Sequence, residues 1–375
     1  MLKIAYNSLK SRGKVTDVEI RLENLTKSFG DLVAVDNLSL LLREGKLISF
    51  LGPSGCGKST TLNMIAGIID QTSGSIYFND IKVDKIPTQK RNIGMIFQNY
   101  ALYPHMTVFE NIAFPLQIQN KSKADIKSKV NEVVNMLQID DLLKKQPGQI
   151  SGGQQQRVAI ARALVKKPDA LLMDEPFSNL DKKLRVETRE EVRRLQKNLG
   201  ISTIFVTHDQ EEASSISDYI LLMDRGKQIQ FGTPSELYYD PTHLFTAQFI
   251  GEAKINEFDG KYENGNITIL KDIMLKFIPE EECPEEIIVA IRPENFKPSY
   301  HPAIIVSKVI GSEMLGKDKL ITSKANEEEI NWFISSDSET KNDEVIKLGI
   351  DVDKVLVFNR TTKRRIRGKV IPSER

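Results

Sequence analysis

Cysteine is scarce, with two in 375 residues, Cys56 and Cys283. That is too few for a disulfide framework, so a reducing cytoplasm is the expected compartment. Long apolar runs are also missing. Tyr219 to Met223 and Ile287 to Ile291 stop after a few residues, whereas a spanning helix needs about 20; the chain is not expected to cross a membrane by itself. Met1 to Val15 carries three Lys and one Arg but no continuous apolar core, which argues against a secretion signal there. Neither charge is in excess. Lys+Arg 52 against Asp+Glu 51 gives no broad field to hold nucleic acid or anionic lipid, and no nucleic-acid partner is expected. What is present is 40% hydrophobic and 27% charged residues, the balance of an ordinary globular chain, at a length that usually divides into two domains.

After a polar extension, residues 1–16, Val18 to Leu22 alternates apolar and charged residues like a half-exposed strand, and Asn24 to Gly30 reads as the turn that closes it. Lys46 to Leu51 is a short apolar strand ending in a glycine cluster, followed by a helix over Thr60 to Gly67. Two further strands, Ala170 to Met173 and Thr203 to Thr207, each end in polar residues. Strands alternating with helices predict a mainly parallel sheet covered by helices. Lys121 to Leu143 reads as one helix, because Ile126, Val130, Val133, Val134 and Leu137 share a face. From about Phe249 the texture changes to short strands (Ile267 to Leu270, Ile287 to Ile291, Ala303 to Val309, Val355 to Phe358) broken by polar turns. A small all-β domain of barrel type is expected there. The basic stretch Lys363, Arg364, Arg365, Arg367 and Lys369 reads as a solvated strand face or a partner for the acidic Glu280 to Glu286.

Gly52-Pro53-Ser54-Gly55-Cys56-Gly57-Lys58-Ser59 has the spacing of a phosphate-binding loop and lies where one must, between a strand and a helix. Its glycines let successive amide hydrogens turn towards a polyphosphate, while the helix N-terminus adds its dipole. Lys58 can then reach the β and γ phosphates, and the Ser59 hydroxyl can ligate magnesium. Cys56 reads as a small filler of the loop, since no Cys-His pair can be argued. Asp174 and Glu175 end an apolar strand, at the sheet edge where ligands sit. Asp174 suits magnesium, and Glu175 suits polarising the water that attacks the γ phosphate. Alone, such a pair is often only a turn, and a solitary His208 after a strand is usually a surface residue. Beside a phosphate loop, both gain a ligand-facing reading. Gln98, after Met95 to Phe97, can contact magnesium or the attacking water without competing for its proton.

Ser151-Gly152-Gly153-Gln154-Gln155, running on into Gln156-Arg157-Val158-Ala159-Ile160-Ala161-Arg162-Ala163, offers a second anion cradle at a helix start. This stretch resembles the signature of ATP-binding cassette proteins, with Ile150 where Leu is usual. The resemblance covers about Val18 to Gly251. It implies an α/β P-loop cassette with a β-subdomain and a helical insert, working as a head-to-tail homodimer in which one subunit's signature closes on the triphosphate held by the other. It also implies roles residue by residue. Gly52 to Ser59, with Thr60, looks like the Walker A loop, Asp174 and Glu175 like the Walker B acids, and Gln98 like the Q-loop glutamine. Ser178-Asn179-Leu180-Asp181 resembles the D-loop, His208 the switch histidine, and Phe29 the aromatic that stacks on adenine. Glu175, His208, Gln98 and Lys58 are the catalytic candidates, and Ser59, Gln98 and Asp174 the magnesium ligands. Phe29, the loop 52–60, Ser151, Gly152, Gly153, Gln154 and Asp181 are expected to bind ATP.

Phe97 to His105, Thr207 to Ala213 and Ile291-Arg292-Pro293-Glu294 are similar to the maltose and multiple-sugar branch of bacterial and archaeal importers. The likeness implies an ATPase at the cytoplasmic face of the membrane, docked to two permease subunits and served indirectly by an extracytoplasmic solute-binding protein. Its domains would be 17–248 for nucleotide binding, with a helical part at about 98–160, and 249–375 as an oligonucleotide-binding-like regulatory domain. Gly251 to Asn256 keeps only part of the sugar branch's pattern, which leaves polyamine, glycerol-phosphate and ferric-iron importers open. A soluble cassette acting on ribosomes or DNA would normally carry a second phosphate loop or a long coiled coil, and this sequence has neither.

Overall fold

The computed structural model describes residues 18–298 and 304–372; the extension at 1–16 lies outside them. The chain divides into two compact units, Met1–Pro234 and Ser235–Arg375.

Among the described residues the first unit holds ten strands: β1 (Ile20–Phe29), β2 (Leu32–Leu42), β3 (Leu47–Leu51), β4 (Ser73–Phe78), β5 (Ile81–Lys82), β6 (Ile93–Ile96), β7 (Ala170–Asp174), β8 (Ser202–Val206), β9 (Tyr219–Asp224) and β10 (Lys227–Gly232). They form an antiparallel sheet, β2-β1-β4-β5, and a six-stranded sheet, β10-β9-β3-β8-β7-β6. In the latter β9, β3, β8, β7 and β6 run parallel, with only β10 antiparallel. Parallel strands buried on both faces read as continuous apolar runs, and every residue of β3 and β8 is buried. One core is shared by the two sheets, with Ile20, Leu22 and Leu38 packed among Phe50, Leu62 and Val206.

Helices α1 (Lys58–Ala66), α2 (Val108–Ile118), α3 (Lys123–Leu137), α4 (Gly152–Leu164), α5 (Lys182–Leu199) and α6 (Gln210–Ile216) complete the unit. The five apolar residues expected on one face of the insert are all buried in α3. That helix is shorter than its pattern predicts. It starts after the Ser122 cap and ends at Leu137, because Gln138 turns left-handed (φ 54) and a separate short turn carries Asp140–Leu142. Ile139 and Leu142 are buried as well, but at helical spacing they would fall opposite the face of Ile126 to Leu137, in keeping with the break.

The turn expected at Asn24 to Gly30 is also corrected. β1 continues to Phe29, and Asn24 (φ 48) sits at a register shift between Leu22 and Leu25. Asn adopts the left-handed region in bulges as readily as in turns. The reversal falls instead at Gly30 (φ 57).

The second unit contains α7 (Pro234–Tyr239), whose first residue closes the first unit, and α8 (Leu244–Phe249). The compact division thus falls after Pro234 rather than at 248/249. The reason is packing: Leu244 and Ala247 of α8 share a small core with Ile288, Leu356 and Phe358. A seven-stranded sheet comprises β11 (Asn256–Glu263), β12 (Asn266–Ile269), β13 (Ile273–Pro279), β14 (Glu286–Ile291), β20 (Leu356–Asn359), β21 (Arg365–Ile366) and β22 (Gly368–Pro372). A five-stranded sheet comprises β15 (Phe296–Pro298), β16 (Ile304–Leu315), β17 (Asp318–Ala325), β18 (Glu328–Ser335) and β19 (Val345–Ile350). All their described pairings are antiparallel, and a single core from Phe258 to Val370 fills the space between the sheets, giving the barrel-like unit that the short strands predict.

Two devices hold this unit. Buried Asn256 accepts from the Asn331 amide at 2.7 Å and donates to the carbonyls of Asn331 (2.8 Å) and Ile291 (3.1 Å), bridging the two sheets. Replacing it with leucine strips partners from one buried and two partly buried backbone groups, and a loss of about 2 to 4 kcal/mol in unfolding free energy is expected. The sole tryptophan, buried Trp332 in β18, provides the readout: its emission should report a lower denaturation midpoint in Asn256→Leu, and an unchanged midpoint would refute the bridge. Arg292 is the second device. Its guanidinium lies over the Tyr238 ring, 4.0 Å from the centroid, and donates to the carbonyls of Tyr238 and Ile250. A Cβ on Gly251 would stand 2.7 Å from Arg292 Nη1, which explains glycine there.

The basic stretch is not uniformly solvated. Arg365 is half-buried, donates to the Val357 carbonyl and has its pKa lowered by burial to about 10. The Arg367 side chain pairs with Asp240, while its carbonyl accepts from the Glu280 amide at 2.9 Å.

Candidate functional site

Because β3, β6, β7, β8 and β9 are parallel, their C-terminal ends reach one edge of the sheet. The Gly52–Ser59 loop follows β3, Gln98 follows β6, Asp174 and Glu175 close β7, and His208 follows β8. Residues more than 150 positions apart thus share one rim for topological reasons.

The loop's shape requires its glycines. A Cβ on Gly52 (φ 151) would lie 2.1 Å from the Met223 carbonyl oxygen, and one on Gly57 (φ 101) 2.4 Å from that of Ala34. Gly57 caps α1, whose first turn carries no acid, so the positive end of its dipole remains available to an anion. Ser54 and Gly55 are exposed at the tip. Lys58 is buried, and its ammonium donates to the carbonyls of Gly52 and Pro53, both at 2.8 Å. Such a charge needs partners, and phosphate oxygens can take over from the carbonyls. Cys56 is buried with its thiol pKa raised by desolvation, in keeping with a filler rather than a nucleophile.

Ser59 Oγ donates to Asp174 Oδ1 at 2.8 Å. These are hard oxygen donors, the kind magnesium takes when phosphates and water complete its shell, so the pair fits that ion. Burial first, and then the neighbouring Glu175 charge, raise the Asp174 pKa, against the Ser59 hydrogen bond. An added positive charge would favour the ionised form.

Glu175 adopts a left-handed conformation, φ 43, which costs a non-glycine residue energy and persists only where its surroundings enforce it. They do so here: its amide donates to the Val206 carbonyl, and its own carbonyl accepts from the Ser178 amide and hydroxyl. Its carboxylate, 23% exposed, lies 3.3 Å from Nδ1 of His208, which is 57% exposed. A carboxylate held next to an open histidine can accept a proton from water while the imidazole orients its surroundings.

Gln98 is exposed, and its carbonyl accepts from Asn179 Nδ2 at 3.0 Å. Tyr100 (φ 59) and Ala101 (φ 47) are both left-handed, and Arg162 from α4 donates to both of their carbonyls at 2.7 Å. Neither clamp was foreseen. Arg162 stood in the quoted signature stretch, but nothing local to it points 61 residues back along the chain.

Ser151 caps α4 in a reciprocal box. Its hydroxyl accepts from the Gln154 amide, while Gln154 Oε1 accepts from the Ser151 amide at 3.0 Å. Gln154 therefore spends its side chain on the cap. The first turn of α4 carries no acid; the cavity of about 650 Å³ at this end is of mixed charge, with Ser151, Gly153, Gln154 and Arg157 on one side and Glu187, Glu190, Glu191 and Arg194 of α5 on the other. Gly152 and Gly153 pack against Leu180 and Leu184, where a Cβ would come within 3.2 to 3.3 Å of their side chains. Asp181 caps α5 through the Leu184 amide. Phe29 is 50% exposed, with Lys27 Nζ 4.8 Å from its ring centroid, so a face is free for stacking.

The structure thus joins Ser59 to Asp174 and Glu175 to His208 around the Lys58 loop. Among the described residues no hydrogen bond or ion pair ties Ser151–Gln154 or Phe29 to that group.

Residues 35–178 match the ABC transporter family. The Fe(3+) ions import ATP-binding protein of Fusobacterium nucleatum is 46% identical over 284 residues, 74% of this chain and 75% of that protein. The trehalose/maltose import ATP-binding protein of Thermococcus litoralis is 38% identical over 368 residues, 92% of this chain and 99% of that one. Two dimeric structures of the bacterial cassette MJ0796, one in a post-hydrolysis state with ADP and Pi, superpose with TM-scores of 0.52 and 0.51. They share 33% and 32% identity with this chain and cover 57% of it and 98% of theirs.

Proposed function

The chain belongs to the ABC transporter family and is an ATP-binding, ATP-hydrolysing subunit of that class; from this premise we propose that it energises the import of a sugar. The observation that carries the ATPase mechanism is the meeting of Ser59–Asp174 and Glu175–His208 at the rim beside Lys58, with a second anion cradle at Ser151 tied to neither pair. One triphosphate filling both kinds of half-site requires two copies of the chain. The dimeric cassettes it resembles support that arrangement.

In this reading Lys58 and the loop amides bind the β and γ phosphates of ATP, and Phe29 stacks on adenine. Ser59, Asp174 and Gln98 hold magnesium, which when bound neutralises charge on the phosphate oxygens. Glu175 takes the proton of the attacking water, and His208 holds the carboxylate and the terminal phosphate in register. Ser151, Gly152 and Gly153 of the second copy close the far side. ATP then draws the two copies together, and hydrolysis releases them.

The homodimer is proposed to sit at the cytoplasmic face of the membrane against two permease subunits, with a solute-binding protein delivering cargo from outside. No described helix is long and apolar enough to cross a membrane. Sugar is favoured because the likeness to the Thermococcus trehalose/maltose protein extends over 92% of this chain and 99% of that protein, taking in the β unit as well as the cassette.

Deletion of the gene, with uptake of labelled disaccharide and of ferric iron measured in parallel, tests the reading. Loss of disaccharide uptake, restored by the wild type but not by Glu175→Gln, is expected. Loss of iron uptake alone would assign instead the solute named for the Fusobacterium relative. A deletion strain that takes up both normally would remove the sugar and iron readings alike.

A further inference from the structure

We infer that Arg185 is a positioning residue that ties the Ser178–Asp181 loop to His208, so that the loop and the histidine take up their hydrolytic geometry together. The inference rests on the reading of Glu175 and His208 as the hydrolytic pair.

Arg185 lies in the first turn of α5 and faces three groups. Its Nη2 donates to the Leu180 carbonyl at 3.1 Å, inside the loop. Its Nη1 stands 3.8 Å from Asp209 Oδ2, and its Nε 3.7 Å from Glu212 Oε1. Both carboxylates hold the segment that carries His208. Glu212, whose side chain is 6% exposed, accepts from Thr207 Oγ1 at 2.6 Å, and Thr207 Oγ1 accepts from the Asp209 amide at 3.0 Å. Asp209 Oδ1 in turn accepts from the Glu211 and Glu212 amides and so starts α6. The residues on either side of His208 are thus fastened to the two acids that Arg185 neutralises.

On its other side the same loop touches the rest of the rim. Asn179 donates to the Gln98 carbonyl, and the Ser178 hydroxyl to the Glu175 carbonyl, each at 3.0 Å. A chain of contacts therefore runs from Gln98 through Asn179 and Leu180 to Arg185, and on through Asp209, Glu212 and Thr207 to His208, which faces Glu175.

The Arg185 end of that chain is closed by charge more than by hydrogen bonds. The two carboxylate distances exceed hydrogen-bond length, and the buried Nε has no hydrogen-bond partner. A buried donor left in that state favours any shift that brings α6 closer. Contact in space does not by itself prove coupling; a two-residue cycle does.

The test uses the full chain with Arg185→Ala, Arg185→Lys, Glu212→Gln, Asn179→Ala and the Asn179→Ala/Arg185→Ala pair. Arg185→Ala is expected to lower kcat about tenfold or more, as small misplacements of catalytic groups do. The KM and the equilibrium affinity for ATP should stay within about twofold, since Arg185 touches nothing in the 52–59 loop. Lysine keeps the charge but not the fork and should restore only part of kcat. Glu212→Gln retains volume and should reproduce the loss with the folded state intact. The double variant should lose less than the product of the single losses.

An Arg185→Ala protein with wild-type kcat would overturn the inference, as would losses that simply multiply. So would kcat and ATP affinity falling together with Tm, which is the pattern of a residue that only holds α5 to α6. If instead Glu175→Gln turned over ATP at the wild-type rate, the reading of the hydrolytic pair would fail first, independently of Arg185.

Discussion

Glu175→Gln should lower ATP turnover by about 10² to 10⁴-fold, the usual contribution of a positioned proton acceptor, while the ATP-loaded protein accumulates as a dimer. Glutamine preserves the shape of the side chain and can still face Nδ1 of His208, 3.3 Å from the present carboxylate, but it cannot accept a proton from water. Everything proposed to bind the nucleotide is untouched: the Lys58 ammonium, the Ser59 hydroxyl and the Ser151 end of α4. Closure should therefore proceed and release should not. Size-exclusion chromatography with light scattering, in ATP and magnesium, reads the result. Monomers alone, in a variant that binds ATP normally, would exclude a nucleotide shared between two copies.

Lys58→Ala should act at the earlier step. The ammonium is buried against two loop carbonyls at 2.8 Å, so its removal deletes a charge that phosphate would meet and leaves the Gly52 and Pro53 oxygens without their donor. Truncating one side of a buried, hydrogen-bonded charge contact typically costs about 2 to 5 kcal/mol, or about 30-fold to several thousand-fold in ATP affinity. Calorimetric titration measures it. Trp332 emission from the second unit checks that the β unit remains folded. Retained affinity would mean that the loop binds something other than a triphosphate, since no other described cation occupies it.

Much of this rim was legible in the sequence because its chemistry is local. Gly52 to Ser59 contains its own turn, helix start, cation and hydroxyl within eight residues, and the strands before Gly52, Asp174 and His208 announce themselves as short apolar runs. The contacts that hold the rim together are not local. Arg162 reaches 61 residues to Ala101, and Asn179 reaches 81 to the Gln98 carbonyl; both use side chains whose types are common on any surface. Backbone details were missed for a related reason. Asn24 permits a left-handed residue but does not say whether a bulge or a turn follows. The end of α3 was legible but overlooked: at helical spacing Ile139 and Leu142 fall opposite the buried stripe, just past Gln138, which has already left the helix. In the β unit, Arg365 and Arg367 look like a solvated run until pairing shows one half-buried and the other against Asp240.

The grip of Arg162 on Tyr100 and Ala101 has a mechanical corollary. Arg162 stands near the last turn of a 13-residue helix whose first turn presents Ser151 and Gly153, and a helix of that length is a stiff rod about 20 Å long. The segment beyond Gln98 and the serine-glycine tip are therefore the two ends of one element, joined by Arg162. A protein docked on that segment would rest on the same rod that carries the tip, about 20 Å from it.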